Sequence, residues 1–208
     1  MEPPKNAAGD QNRPTGTITQ SSERGRFALY QVQTTTFSFE CYGTLIDEIR
    51  ILGAKTALEF GPGYSTLALI ESGLEKIVTL EHDLQWFEKA REQFRDYPQV
   101  EIRSYKDEPE AIADLKPDET FDIAVVDSPK GFTHQMPATS GLRKVHPGQE
   151  DCSRLNTCLL ALKHAPIVYL HDARRPLERG TLGRLNAMGH KHTIIPTRVG
   201  IARIERSG

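Results

Sequence analysis

Residues 58–67, "LEFGPGYSTL", decide how the rest of the chain is read. The short strand-like run "TALEF" (56–60) stops at two glycines that bracket a proline. Gly61 and Gly63 let the backbone turn sharply and let another group approach it closely. Ser65 and Thr66 then lead into "STLALIESG", whose apolar spacing predicts a helix. Strand, glycine turn and helix in succession open a β-α-β unit, and that unit requires a parallel sheet.

The same alternation continues outward from this stretch. Strand-like runs recur at "KIVTLEH" (76–82), "QVEIRSY" (99–105), "FDIAVVD" (121–127) and "APIVYLHD" (165–172). Helical patterns separate them: "DLQWFEKAREQFRD", "EPEAIADLK" and "CSRLNTCLLALKH". Asp83 is placed to cap the first of these by accepting an orphan backbone N–H. Upstream, "FSFECYGTLIDEIRIL" (37–52) repeats its apolar residues at helical spacing. Strands alternating with helices imply right-handed crossovers and helices on both faces of the sheet. The last two runs, "KHTIIP" and "VGIARIER", are separated only by "TR". A parallel crossover needs a dozen or more residues, so these form an antiparallel hairpin. The expected fold is a seven-stranded α/β sheet: five parallel strands and a C-terminal antiparallel hairpin.

Composition narrows the class. The chain has 208 residues with 26 Lys and Arg against 28 Asp and Glu, a formal net charge of −2. That balance carries no basic footprint for nucleic acid. No apolar run reaches the roughly 20 residues a bilayer span needs. Cys41, Cys152 and Cys158 form neither a CxxC pair nor an even disulfide framework, and they read as buried thiols in a reducing, cytoplasmic setting. Residues 1–25 are polar and rich in Pro, Gly, Ser and Asn, and are expected to be a flexible leader. Residues 26–208 are expected to form one domain. Residues 130–151 lack periodicity and follow the fourth strand, where open α/β sheets bind ligands, so they are expected to be a substrate loop or lid.

The turn also predicts a ligand. Dinucleotide folds place a third glycine where Thr66 stands, and they seat a pyrophosphate on the following helix. Here Glu59 lies just ahead of the turn. A carboxylate facing a pyrophosphate at 4 Å is repelled by ~4 kcal/mol at an effective dielectric near 20. A ligand bearing an ammonium and a sulfonium is attracted instead, and its carboxylate can use the helix-start N–H groups around Tyr64 to Thr66. S-adenosylmethionine fits that pattern better than NAD. Glu81, ending the second strand, is placed to accept ribose hydroxyls from either nucleotide class. His82, and Ser104 with Tyr105 at the end of the third strand, are candidates to line the adenine pocket; ordinary strand-end polarity is the other reading.

"LEFGPG", "LEHD" and "FDIAVVDSP", in that order and spacing, resemble the motifs of class I S-adenosylmethionine-dependent methyltransferases. The resemblance runs from about Thr34 to the C-terminus. It implies a Rossmann-like seven-stranded sheet with a reversed last strand, cofactor contacts at Glu59, Gly61, Gly63, Ser65, Thr66, Glu81 and Asp127, and methyl transfer as the activity.

Asp127 ends the fourth strand, and His171 and Asp172 end the fifth, so both sets face one crevice. Two chemistries are open. Asp127 and Asp172 can hold a divalent cation (Mg, Mn or Co) that orients a diol. Alternatively His171 acts as general base, oriented by Asp172. A purely structural role, with the acids capping helices and the imidazole buried, is the bland alternative. The stretch "DSPKG", then Arg154, then "VYLHDARRPLERG" is similar to polysaccharide-biosynthesis methyltransferases that include the glucuronoxylan 4-O-methyltransferases. The corresponding positions here are Asp127, Ser128 and Pro129, then His171, Asp172, Arg175 and Glu178, with Ser128 departing from that family's glycine. This similarity implies O-methylation of a uronic acid or related small hydroxylated acceptor. Lys130, Arg143, Lys144, Arg154, Arg174 and Arg175 are candidates to bind its carboxylate. Nucleic acid and membrane are not expected as partners, and a homo-oligomer is compatible with the sequence. The competing class is a non-catalytic cofactor-binding scaffold.

Overall fold

The computed structural model describes residues 39–104, 115–127 and 154–208. The predicted leader (1–25) and loop (130–151) lie outside them, as do Tyr105, Ser128, Pro129, Lys130, Arg143, Lys144 and Cys152. Described elements run α1 (Phe39–Leu52), β1 (Thr56–Phe60), α2 (Tyr64–Glu71), β2 (Lys76–Glu81), α3 (Leu84–Phe94), β3 (Val100–Ser104), β4 (Ile123–Val126), α4 (Leu155–His164), β5 (Ile167–His171), α5 (Pro176–Ala187), β6 (Lys191–Ile195) and β7 (Ile201–Glu205).

The seven strands form one sheet in the order β3-β2-β1-β4-β5-β7-β6. β1 pairs in parallel with β2 and β4, β2 with β3, and β4 with β5. β7 runs antiparallel between β5 and β6. The expected five parallel strands and terminal hairpin are therefore present. Chain order reverses between β1 and β4, which makes their carboxyl ends the topological switch point where open sheets hold ligands.

The central strands are apolar on both faces, as a doubly covered sheet requires. β4 (IAVV) is buried throughout, and Leu58, Phe60, Val78, Leu80, Val168 and Leu170 share a core cluster with Leu160, Leu162 and Leu185 from α4 and α5. Asp83 caps α3 as expected, its Oδ1 accepting from the amides of Gln85 (2.9 Å) and Trp86 (3.1 Å).

Two features were not read from sequence. α5 has no predicted counterpart, because Gly180 and Gly183 dilute its helical pattern; Pro176 at its first turn is the start signal that was available. The β6–β7 connection spans residues 196–200 rather than "TR" alone. Gly200 adopts φ +80, a turn conformation that ends the extended run before Ile201.

Candidate active site

The glycine turn is tied down from beneath. Gly61 has φ +92 and donates its N–H to Leu80 O at 3.0 Å, which fastens the turn to β2. Gly63 starts α2 in extended backbone (φ 176) and donates its N–H to Thr66 Oγ1 at 2.8 Å. The Thr66 hydroxyl in turn donates a hydrogen bond to Glu59 Oε2 at 2.7 Å. A relay thus runs from turn amide to hydroxyl to strand-end carboxylate, and it explains threonine where dinucleotide folds carry glycine.

Glu59 is fully buried. Burial drives its pKa up from 4.5 to about 7 against the hydroxyls of Ser65, Thr66 and Thr79, and the Asp127 charge adds to the rise. Among the described residues Thr66 alone stands at bonding distance, and Glu59 Oε1 has no hydrogen-bond partner. The space a Cβ of Gly63 would occupy is open: among the described residues no atom beyond its chain neighbours lies within 4 Å. An orphaned buried carboxylate oxygen and open space over a helix start fit a ligand with a cationic group and a carboxylate.

Glu81 ends β2, buried, with Oε1 accepting the amides of His82 (2.8 Å) and Asp83 (2.9 Å). His82 Nδ1 lies 3.1 Å from the same oxygen. Ser104 ends β3 in register with Glu81, so these three residues share one stretch of the sheet's carboxyl edge.

The strongest charge cluster lies beyond β4 and β5. Asp127 follows β4 and donates its amide to Phe60 O at 3.1 Å, beside the turn. His171 Nδ1 sits 2.9 Å from Asp127 Oδ1 and 3.5 Å from Asp172 Oδ2. Arg154, leading into α4, places Nη1 3.7 Å from Asp127 Oδ1 and Nη2 3.9 Å from Asp172 Oδ2, and it donates to His171 O at 3.2 Å. Arg175 reaches back from the start of α5 to Asp172 Oδ2 at 2.7 Å. The Arg154 side chain is 2% exposed, Asp172 3%, Asp127 14% and Arg175 46%.

Burial opposes charge on His171, yet Asp127, the Cys41 side chain and Asp172 together push its pKa up to about 10. At neutral pH it is an imidazolium donating to Asp127. Burial likewise opposes ionisation of Asp127, but His171, Arg154 and Arg175 hold its pKa below the usual 3.8. Asp172 moves the other way: burial raises it, joined by the Asp127 charge, against His171, Arg154 and Arg175. A neutral His171 ready to act as general base is therefore not the resting state.

The ligand atoms of Asp127, His171 and Asp172 lie within 4.8 Å of one another, close enough for a cation. They do not fit one as arranged: His171 Nδ1 is engaged with Asp127, and the Arg154 guanidinium faces both carboxylates. Asp172 does not cap the helix that follows it, and Asp127 caps none of the described helices. Arg175 holds the cap position of α5, and Asp172 adopts φ +62 in the turn before it.

Of the predicted acceptor-binding residues, Arg154 is buried in this cluster, Arg175 is half-exposed on Asp172, and Arg174 is exposed. Sequence reasoning missed the frame around His171. Cys41 of α1 donates to Thr197 Oγ1 at 3.3 Å, and the same hydroxyl accepts Gly200 N–H at 3.0 Å. Gly200 O and Val199 O then receive the amides of Ala173 and Arg174, both at 3.1 Å. Only the glycine carries a sequence signal; Cys41 and Thr197 sit in patterns that suit any small buried residue. Cys158 is buried as expected, and burial pushes its thiol pKa up to about 12.

Among the described residues no helix is long and apolar enough to cross a membrane. No family model and no curated protein matches the sequence. Solved structures do match. An O-methyltransferase from Bacillus cereus in complex with SAH superposes with a TM-score of 0.61 at 18% identity, covering 90% of each chain. TomG from Streptomyces achromogenes, an O-methyltransferase of tomaymycin synthesis in complex with SAM, gives 0.64 at 18% identity over 90% of this chain and 89% of that one. A Pyrococcus horikoshii protein provisionally assigned as an RNA methyltransferase gives 0.58 at 13% identity over 89% and 99%. The chain has the Rossmann-like fold of these methyltransferases, with the reversed strand β7 in its place.

Proposed function

We propose that this chain is an S-adenosylmethionine-dependent O-methyltransferase whose acceptor is a saccharide hydroxyl, a uronic acid foremost, or another small hydroxylated molecule. The observation that carries the reading is one juxtaposition at the switch point. The glycine turn backed by Glu59 adjoins the Asp127–His171–Asp172 cluster through the Asp127 amide on Phe60 O. The fold likeness to O-methyltransferases supports it.

When bound, the cofactor supplies a methyl group on a sulfonium. The helix-start amides around Tyr64 to Thr66 and the Glu59 carboxylate would hold its amino-acid end, and Glu81 its ribose. A cationic ligand stabilises the ionised form of Glu59, and a pyrophosphate stabilises the protonated form. In the second cluster, Asp127 is the least buried member and its carboxyl is held below the usual range, so it is placed to accept the proton of the acceptor hydroxyl. His171 and Arg154 fix its orientation. Alignment of the acceptor oxygen with the methyl group then supplies the main rate gain. Arg174 and Arg175, at the exposed rim, suit a carboxylate on the acceptor.

Calorimetric titration tests the cofactor assignment. S-adenosylmethionine is expected to bind, and to bind more tightly as pH rises through about 7, because Glu59 must lose a proton; tighter binding of NAD refutes it. A methyl-transfer screen over uronic acids, neutral sugars and phenols tests the acceptor, and turnover confined to phenols removes the sugar. The rival reading, a cofactor-binding scaffold without turnover, draws on one observation: His171 and Asp172 are almost wholly enclosed in ion pairs. It predicts cofactor binding with no turnover on any acceptor.

A further inference from the structure

We propose that Arg154 is the resident cation of this site, seated where a divalent ion would bridge Asp127 and Asp172, and that the site works without a divalent metal. As a statement about methyl transfer this rests on the reading above; as a statement about cation occupancy it stands on geometry.

Arg154 faces the two acids and the backbone of the histidine between them: Asp127 Oδ1 at 3.7 Å, Asp172 Oδ2 at 3.9 Å and His171 O at 3.2 Å. A divalent ion on these acids needs carboxylate oxygens at about 2.0–2.6 Å, and it cannot share that space with a guanidinium. Arg cannot shed its proton to make room, so the positive charge is permanent. An enclosed guanidinium is tolerated only where it is paired, and Asp127 and Asp172 both pair it.

A second, independent observation concerns the backbone. Among the described residues two non-glycine positions have positive φ, Arg154 (60°) and Asp172 (62°). They are the two partners of one ion pair, on different elements. Left-handed backbone in a non-glycine residue is strained, and such strain persists where surrounding structure imposes it. Here it turns both side chains toward the same point. The third ligand of a three-donor site, His171 Nδ1, is taken by Asp127 at 2.9 Å. Among the described residues Asp172 Oδ1 is buried without a hydrogen-bond partner, and it is the oxygen on which a metal would be seen to compete with Arg154.

The test is Mn2+ binding to the full chain, followed by electron paramagnetic resonance, with S-adenosylmethionine binding measured separately. The wild-type protein is expected to bind no stoichiometric Mn2+. Arg154→Ala is expected to gain one Mn2+ per chain, at least about a hundredfold more tightly than wild type, since a cation facing both acids is gone. Its melting temperature should rise with Mn2+ while that of wild type does not. Arg154→Lys, which keeps a charge, should behave as wild type. One Mn2+ per wild-type chain, abolished by Asp127→Asn, overturns the proposal. So does a folded Arg154→Ala that gains no ion. If Arg154→Ala does not fold with or without Mn2+, the wild-type and Arg154→Lys titrations decide. Failure of the methyl-transfer reading appears as absent cofactor binding and leaves the Mn2+ results intact.

Discussion

Glu59→Gln isolates the charge beneath the glycine turn. The wild-type carboxyl keeps its proton to about pH 7 in the folded chain, against an ordinary 4.5. Folding therefore takes up a proton between those values, and stability falls as pH rises through that window. At about 1.4 kcal/mol per unit, full ionisation of Glu59 destabilises the unliganded fold by roughly 3 kcal/mol. Gln has nearly the same shape. Its carbonyl can accept the Thr66 hydroxyl that Glu59 Oε2 accepts at 2.7 Å, and its amide can donate to Ser65 or Thr79. Near pH 5 the two proteins should be about equally stable. Near pH 8 the variant should be more stable by roughly 2–3 kcal/mol, a gain of about 5–10 °C in melting temperature for a domain of this size. Thermal or denaturant unfolding of both proteins across this range measures the difference, and other titrating groups cancel in it. A difference that stays flat with pH would mean Glu59 ionises normally, and the account of the turn as a dry, proton-holding site would fall. The same variant should lose affinity for S-adenosylmethionine even as it gains stability.

Three further outcomes are expected. Thr66→Val removes the bridge between Gly63 N–H and Glu59, and should cost roughly 1–3 kcal/mol in urea unfolding together with weaker cofactor binding; unchanged stability would show the relay is dispensable. Gly200→Ala adds a Cβ 2.8 Å from Arg174 Cγ and 3.2 Å from Arg174 N at φ +80, so a loss of about 1–3 kcal/mol is expected, read from the denaturant midpoint. A wild-type midpoint would mean the hairpin loop yields freely. For His171, the raised pKa means its pairing stabilises the fold fully below about pH 6.5 and is lost as pH rises through about 10. His171→Gln should flatten that alkaline limb of the stability profile, and a profile as steep as wild type would refute the imidazolium.

The parts legible in sequence share a physical basis: they follow from periodicity or from glycine. The strands at 56–60 and 76–81, the Asp83 cap and the reversed last strand are local patterns, written in a few adjacent residues. α5 was lost because two glycines lower helix propensity, while burial of Leu182 and Leu185 in the core supplies what propensity does not. Residue types at the site were also legible, since acids at strand ends cluster at a switch point whatever their partners. Their electrostatic state was not. By sequence Arg154 is a candidate to bind an acidic acceptor, and its burial between Asp127 and Asp172 depends on α4 beginning with left-handed backbone. That choice makes the acids the counter-charge of an arginine, while Asp127 and Asp172 facing His171 make the imidazole a proton holder. The charge at Glu59 behaves similarly. From sequence Glu59 reads as a permanent negative charge repelling pyrophosphate, and the fold makes it a carboxyl poised near neutrality. The discrimination between ligands survives in a different form. It lies in the proton that a cationic ligand must expel and an anionic one would retain, so the pH dependence of binding carries more information than affinity at any single pH.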